Sequence, residues 1–240
     1  MKFPFPVASI RDFYSFEQHV RTCRAHRGLE MIPAWYDIPV FYFSNPVAIN
    51  FHGDPVYAPI NSSELDFELE LACMIGKYGS DIPPTDEAID YVAGFFIMND
   101  WSARDLQRQE MAVGLGPSKG KDFATSFGPR FVPTSDLLSY YRDGRFHLEM
   151  TARLNGKEIS RGNAGSMYWT WPQLLAHASR DTTLVPGDIL GSGTVGSGCI
   201  LELTPQLVGG WLKPGDTVQL EIEQLGILEN PIVANPKLTH

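Results

Sequence analysis

Leu65-Asp66-Phe67-Glu68-Leu69-Glu70-Leu71 alternates apolar and acidic residues with period two. Read as a strand, it sets Leu65, Phe67, Leu69 and Leu71 on one face and Asp66, Glu68 and Glu70 on the other. Neighbours on one strand face lie roughly 6.5–7 Å apart. Carboxylates that close repel unless something positive lies between them. Two readings follow. The stretch is an antiparallel strand with one solvated acidic face, or its carboxylates hold a hard divalent cation, which prefers oxygen ligands.

The composition suits a packed domain. The chain has 240 residues, 43% hydrophobic and 20% charged, enough for a sizeable core and too apolar for disorder. A formal net charge of −9 argues against general nucleic-acid or anionic-membrane binding, both of which need basic surface. It leaves a small anionic substrate open, since that needs only local cations. Met1-Lys2-Phe3-Pro4-Phe5-Pro6 lacks the apolar core of a secretory signal, and no run approaches 18 apolar residues. Cys23, Cys73 and Cys199 are odd in number, widely spaced and without a metal-ligand pattern. Reduced thiols in a cytoplasmic protein are expected.

On either side of the acidic stretch the pattern is mostly strand. Phe13, Phe16, Val20 and Cys23 recur at helical spacing within residues 12–27, with Asp12 as a candidate N-cap, Gly28 as the stop and His19 at the edge of the apolar stripe. Residues 29–60 hold five prolines and short extended pieces, Val40–Phe43 and Val47–Ile49, of a kind that can wrap a site. Pro84–Ile89 reads as a helix start. Tyr91–Met98 is a continuous apolar run, read as a buried strand ending at Asn99-Asp100, before a polar helix from Ser102 to about Glu110. Asp100 is either a site residue at a strand end or the cap of that helix. Gly114–Phe123 is a Gly-rich loop with two lysines. It is not a P-loop, because Leu115 and Asp122 stand where a glycine and a Ser/Thr are required. Phe146–Leu154 alternates, Asn155-Gly156 signals a hairpin, and Lys157–Ser160 returns. Trp171–Ala178 reads as a helix and Gly191–Gly198 as a flexible Gly/Ser loop. Pro186-Gly187-Asp188 and Pro214-Gly215-Asp216 read as turns before strands, and Glu229–His240 as an irregular tail. These elements make an α+β domain, mostly β.

Four segments together resemble the fumarylacetoacetate hydrolase family. They are Asn99–Gln107 with Leu115-Gly116-Pro117 and Gly120–Thr125; Asp66–Glu70; Gly191–Thr194 with Leu201-Glu202-Leu203; and Asp12–Ser15 with Gln18-His19, Arg27-Gly28, Ile38-Pro39-Val40 and Tyr42. Their order matches and they span most of residues 12–228. The resemblance implies the family's β-sandwich roll with flanking helices, a homodimer, and a single catalytic domain over residues 1–240 without the N-terminal SH3-like domain of the long members. It implies a metal held by Asp12, Glu68, Glu70 and Asp100, with Lys121 and Thr125 nearby. The all-oxygen set suits Mg2+ or Ca2+, with Mn2+ able to substitute.

The activity implied is hydrolysis of a carbon–carbon bond in a β-diketo acid, in the breakdown of aromatic compounds. His19 oriented by Glu202 would be the base, a neutral imidazole poised near pH 7. Arg104, Gln107 and Lys121 would meet the developing oxyanion. Tyr14, Arg27, Tyr42, Gln107 and Thr194 would contact a small anionic keto acid. Met111 replaces an expected tyrosine, one residue is inserted before Leu115, and Ala124 replaces a usual glycine, all of which bear on the substrate. The decarboxylase branch pairs its histidine with a glutamate three residues on. Here that position is Thr22 while Glu202 is present, which favours hydrolysis over decarboxylation. The alternatives are a decarboxylase, isomerase or hydratase of a related 2-keto diacid, or a non-catalytic small-acid binder of the same fold.

Overall fold

The computed structural model describes residues 2–236. The acidic stretch is two strands rather than one. Leu65–Asp66 pairs with Ser102–Ala103, and Leu69–Ile75 begins after a break at Phe67-Glu68. Leu69–Ile75 lies inside an eight-stranded sheet, between Val92–Asp100 and Asp188–Gly191. Every residue from Leu65 to Ile75 is buried, so the expected solvated face does not exist. The alternation instead separates two buried faces. Leu71, Cys73, Ile75, Phe95 and Ile97 join the main core, while Ala72, Met74, Phe96 and Met98 join a smaller cluster with Ile10, Phe127 and Ile189. Phe3, Phe5 and Phe131 pack against that smaller cluster.

The main core lies between this sheet and a second, five-stranded one. The order there is Lys157–Asn163, Glu149–Leu154, Thr217–Ile222, Gly226–Val233, Val56–Tyr57. Met150, Ala152, Leu220, Ile222 and Leu228 fill the core from that side, joined by Trp171, Leu174 and Leu175 of the helix Trp171–Ser179. The expected sandwich with flanking helices is the observed architecture. The hairpin at Asn155-Gly156 forms as its residues require, with φ of +52° and +80°.

Several boundaries differ from the sequence reading. Asp12 is no helix cap. It lies in the strand Ser9–Phe13, and the helix begins only at Glu17. Phe13 and Phe16, three residues apart, mimicked one helical stripe across two elements. Asp100 ends its strand without capping the next helix, which starts at Arg104 because Ser102–Ala103 is taken up in strand pairing. The Gly191–Gly198 stretch, read as a flexible Gly/Ser loop, is buried from Gly191 to Gly196. The tail is strand through Val233, with Leu228, Asn230 and Ile232 buried on one face despite Pro231. Lys237–His240 of that tail, and Met1, lie outside the described residues.

Candidate active site

The second face of the large sheet changes character at one end. Along Ser9–Phe13 the buried side chain Ile10 is followed on the same face by Asp12. Along Leu69–Ile75, Met74 and Ala72 are preceded by Glu70. Along Val92–Asp100, Phe96 and Met98 are followed by Asp100. Three strands thus end an apolar face in carboxylates. Asp12 pairs with Gly191, and Gly191 with Ala72. The glycine is required by close approach, since a Cβ on it would lie 2.6 Å from Asp12 Oδ1 and 2.9 Å from Glu70 Oε2. Glu68 enters from the break between the two acidic strands. One oxygen each of Asp12, Glu68 and Glu70 lies within 4.8 Å of the others. Asp100 is turned toward Lys121 and Tyr42.

The cations are fixed among these acids. Lys121 Nζ donates to Glu68 Oε2 at 2.7 Å and also to Asp100. Arg104 donates to Glu68 Oε1 at 2.7 Å, to Asp66 Oδ2 at 2.8 Å and to Gln107 Oε1 at 3.1 Å. The Tyr42 hydroxyl reaches Asp12 Oδ2 at 2.9 Å and Asp100, so its proton is shared between them. Gly193 N donates to Glu70 Oε2 at 3.1 Å, with Thr194 Oγ1 3.5 Å from Oε1. Thr125 stands opposite Asp100 in the neighbouring strand.

Five buried carboxylates (Asp12, Asp66, Glu68, Glu70, Asp100) therefore meet two buried cations, Lys121 and Arg104. The imbalance shows in their proton affinities. Burial, then the Asp100 charge, pushes Asp12 up to about 8. Burial and the Asp12 charge drive Glu70 well above the usual carboxylate range. Burial raises Asp100 despite Lys121. Burial also works against Glu68, yet Lys121 and Arg104 outweigh it and hold that carboxyl well below its ordinary value. Asp12 Oδ1 and Asp100 Oδ1 are buried without a hydrogen-bond partner. An excess of buried oxygen donors, two of them orphaned, with three acids pushed toward protonation, fits a divalent cation with hard-ligand preference.

A second constellation adjoins the first. His19 Nδ1 lies 2.7 Å from Glu202 Oε2, both side chains nearly fully buried. The other Glu202 oxygen accepts from Ser197 N at 3.0 Å, and the edge of Tyr14 packs on the imidazole at 5.4 Å between centroids. Burial disfavours the imidazolium, but the Glu202 charge and the Cys199 thiol overcome this and raise His19 well above 6.5. The expected neutral imidazole near pH 7 is thus not the state this environment favours.

Both constellations open onto one cavity of about 620 Å³. Asp12, Glu68, Glu70, Lys121, His19, Arg104, Gln107, Tyr14, Tyr42, Thr194 and Arg27 line it. Residues 32–42 form one wall through Ile32, Trp35, Ile38 and Phe41. Glu202 stands behind His19, Asp100 behind Lys121 and Tyr42, and Thr125 opposite Asp100 on the next strand.

Sequence reasoning grouped Asp66 with Glu68 and Glu70 on one acidic face and missed its separate role. Its carboxylate accepts from Ile200 N at 2.7 Å, Leu201 N at 3.1 Å and Phe67 N at 2.8 Å as well as from Arg104. It ties the turn that carries Glu202 to the arginine that faces Glu68. Only the break after Asp66 separates it from Glu68 and Glu70, and uniform alternation hides that break. Cys23 and Cys199, both against His19, were also passed over.

This fold, with a carboxylate cluster and a histidine–glutamate pair at the end of its larger sheet, defines a recognisable class. The family profile described as fumarylacetoacetate (FAA) hydrolase C-terminal matches residues 8–233, and the chain belongs to the fumarylacetoacetate hydrolase family. It is 32% identical to fumarylacetoacetase of Bos taurus over 254 residues, 85% of this chain and 60% of that protein. It is 35% identical to the oxaloacetate tautomerase YisK of Bacillus subtilis over 195 residues, 81% of this chain and 61% of that one. The chain thus spans about 60% of the length of these curated relatives. The crystal structure of fumarylpyruvate hydrolase from Pseudomonas aeruginosa with Mn2+ and pyruvate superposes with a TM-score of 0.79 at 24% identity. The match covers 96% of this chain and 91% of that one, and shows the shared fold. The family's relatives include both hydrolases and tautomerases. Among the described residues, no helix is long and apolar enough to cross a membrane.

Proposed function

We propose that this protein is a divalent-metal-dependent enzyme that hydrolyses a carbon–carbon bond in a β-diketo acid of the acylpyruvate, fumarylpyruvate or fumarylacetoacetate type. The observation that best supports this is the meeting of the carboxylate cluster and the His19–Glu202 pair in one cavity. Asp12, Glu68, Glu70 and Asp100 would hold Mg2+, Ca2+ or Mn2+, which when bound supplies Lewis-acid polarisation of the substrate's oxygens.

The rest of the chemistry falls to the chain itself. With Nδ1 directed at Glu202, His19 takes a proton from water at Nε2. The water oxygen bonds to one carbonyl carbon, the carbon–carbon bond breaks, and the electron pair leaves as an enolate. The imidazolium returns its proton to the enolate carbon. Arg104, Gln107 and Lys121 donate to the oxygen on which charge develops. Lys121 is held by Glu68 and Asp100, so its charge needs no reorganisation during the reaction. Arg27, Tyr14 and Thr194 fix the substrate. Residues 1–240 act in this reading as one catalytic domain of a homodimer, with a small anionic keto acid as the partner in solution.

A second reading is keto–enol tautomerisation of a 2-keto diacid. The similarity to YisK and the raised proton affinity of His19 favour it, because a histidine already protonated is suited to deliver a proton. The experiment that separates the two adds Mg2+ or Mn2+ and supplies acetopyruvate, fumarylpyruvate and oxaloacetate in turn. Loss of diketone absorbance with release of pyruvate, abolished by EDTA and by His19→Ala, supports hydrolysis. Enol loss from oxaloacetate without any cleavage product overturns it in favour of the tautomerase.

A further inference from the structure

His19, Cys23 and Cys199 are not needed together by the reaction above, yet they form a compact donor set. Cys23 follows His19 by four residues on one helix face, the spacing that lets two side chains share a ligand. Cys199 arrives from the buried glycine-rich segment, three residues before Glu202. Cys23 Sγ lies 3.8 Å from His19 Nδ1 and 3.9 Å from Nε2, and Cys199 Sγ lies 4.0 Å from Nδ1. The two sulfurs and a ring nitrogen all lie within 4.8 Å of one another. Bond lengths of about 2.3 Å for Zn–S and 2.0–2.1 Å for Zn–N place tetrahedral ligand atoms roughly 3.5–3.8 Å apart. The nitrogen–sulfur separations are within about half an ångström of that frame, and the sulfur–sulfur separation stays under 4.8 Å. Glu202 Oε2 adds a carboxylate 3.6 Å from Cys199 Sγ and 2.7 Å from His19.

We propose that His19, Cys23 and Cys199, with Glu202 beside them, form a second metal site, selective for a thiophilic cation such as Zn2+, and that filling it shuts the enzyme off by occupying the imidazole. The donor chemistry divides the two sites. The carboxylate cluster is all oxygen and suits hard cations, whereas two sulfurs and an imidazole select a softer one. Binding is balanced by release of three protons to solvent, two from the thiols and one from the His19 imidazolium, as two metal–thiolate bonds and one metal–imidazole bond form. Access is direct, since His19 and Cys23 line the cavity. The binding part stands on geometry alone. The inhibition part rests on the function proposed above.

The test uses the full chain saturated with Mg2+, under a phosphine reductant so that a disulfide cannot consume the thiols. Co2+ is titrated as a spectroscopic probe. A thiolate-to-cobalt charge-transfer band that saturates at one equivalent and disappears on adding Zn2+ is expected. Wild-type protein is also alkylated with and without Zn2+ and mapped by mass spectrometry, which needs no variant. Cys23 and Cys199 should react about tenfold or more slowly with Zn2+ present, while buried Cys73 is unchanged. Cys23→Ser should lose the band and weaken Zn2+ inhibition about tenfold or more. No charge-transfer band together with unchanged alkylation overturns the site. A band without inhibition of a working enzyme overturns the regulatory part. A band in a protein that turns over none of the tested keto acids leaves the site standing and removes the function proposed above instead.

Discussion

Metal binding at the carboxylate cluster should be strongly coupled to protons. Asp12 carries a proton affinity of about 8 against an ordinary 3.8, raised first by burial and then by Asp100. At pH 6 about one molecule in a hundred has Asp12 ionised, and at pH 8 about half do. A divalent cation needs the ionised form. Its apparent affinity should therefore climb about fifty-fold between pH 6 and pH 8 from Asp12 alone, equivalent to about 2 kcal/mol. Glu70, raised well above its usual range, steepens the dependence further. Stability carries the matching sign. A carboxyl whose folded-state value is raised stabilises the metal-free fold below about pH 4, and that contribution is lost as pH rises toward about 8. Added metal should thus raise Tm more at pH 8 than at pH 6. Calorimetric titration of metal-free protein with Mn2+, in two buffers of different ionisation enthalpy, counts the protons released. About one or more per ion is expected at pH 6.5. Zero release with a flat affinity from pH 6 to 8 would refute the reasoning, because the cluster would then be fully ionised and balanced by Lys121 and Arg104 alone.

Other consequences are as specific. Gly191→Ala drives a methyl between Asp12 and Glu70, so Mn2+ affinity measured by calorimetry should fall about tenfold or more while the sheet remains folded by circular dichroism. Asp66→Asn weakens the charged hydrogen bond to Arg104 and the hold on the turn bearing Glu202. Denaturant unfolding should show a loss of about 2–3 kcal/mol, and turnover should drop even with metal saturating. His19→Ala should abolish turnover and leave the Mn2+ affinity within about threefold, because it removes a base and no carboxylate. In wild type, kcat/KM should rise with pH through a value above 6.5, as the raised imidazolium must lose its proton to act as base; a plateau already reached by pH 6 would contradict this.

The legible part of the fold was its strand periodicity. Leu65–Leu71 betrays strand because the side-chain period of two is set by the backbone, and Tyr91–Met98 because a continuous apolar run fits a strand covered on both faces. What sequence could not reveal is that both faces of Leu69–Ile75 are covered, since burial of Glu70 depends on Asp12, Gly191 and Gly193, which come from distant parts of the chain. Asp12 was misplaced as a helix cap because Phe13 and Phe16 fit one helical stripe while belonging to two elements. The strand over Glu229–Val233 was hidden by Pro231, whose missing donor is tolerated in this pairing. The candidate site residues were named through family resemblance, and the structure gathers them around one cavity. Periodicity alone pointed to Asp66, Glu68 and Glu70 as one acidic face, with nothing to set the first apart. The separate role of Asp66 stayed hidden because, Arg104 apart, its partners are backbone amides at Ile200 and Leu201, which leave no trace in side-chain pattern.

The most direct test of the central claim follows the atoms. Mn2+-loaded protein is given fumarylpyruvate in 18O-labelled water and the products are read by NMR and mass spectrometry. The account predicts two fragments, fumarate and pyruvate, with one 18O in the carboxylate newly formed on fumarate, and no such products from His19→Ala. Recovery of an intact carbon skeleton, with only its keto and enol forms interconverted, would contradict hydrolysis and assign the site to proton transfer.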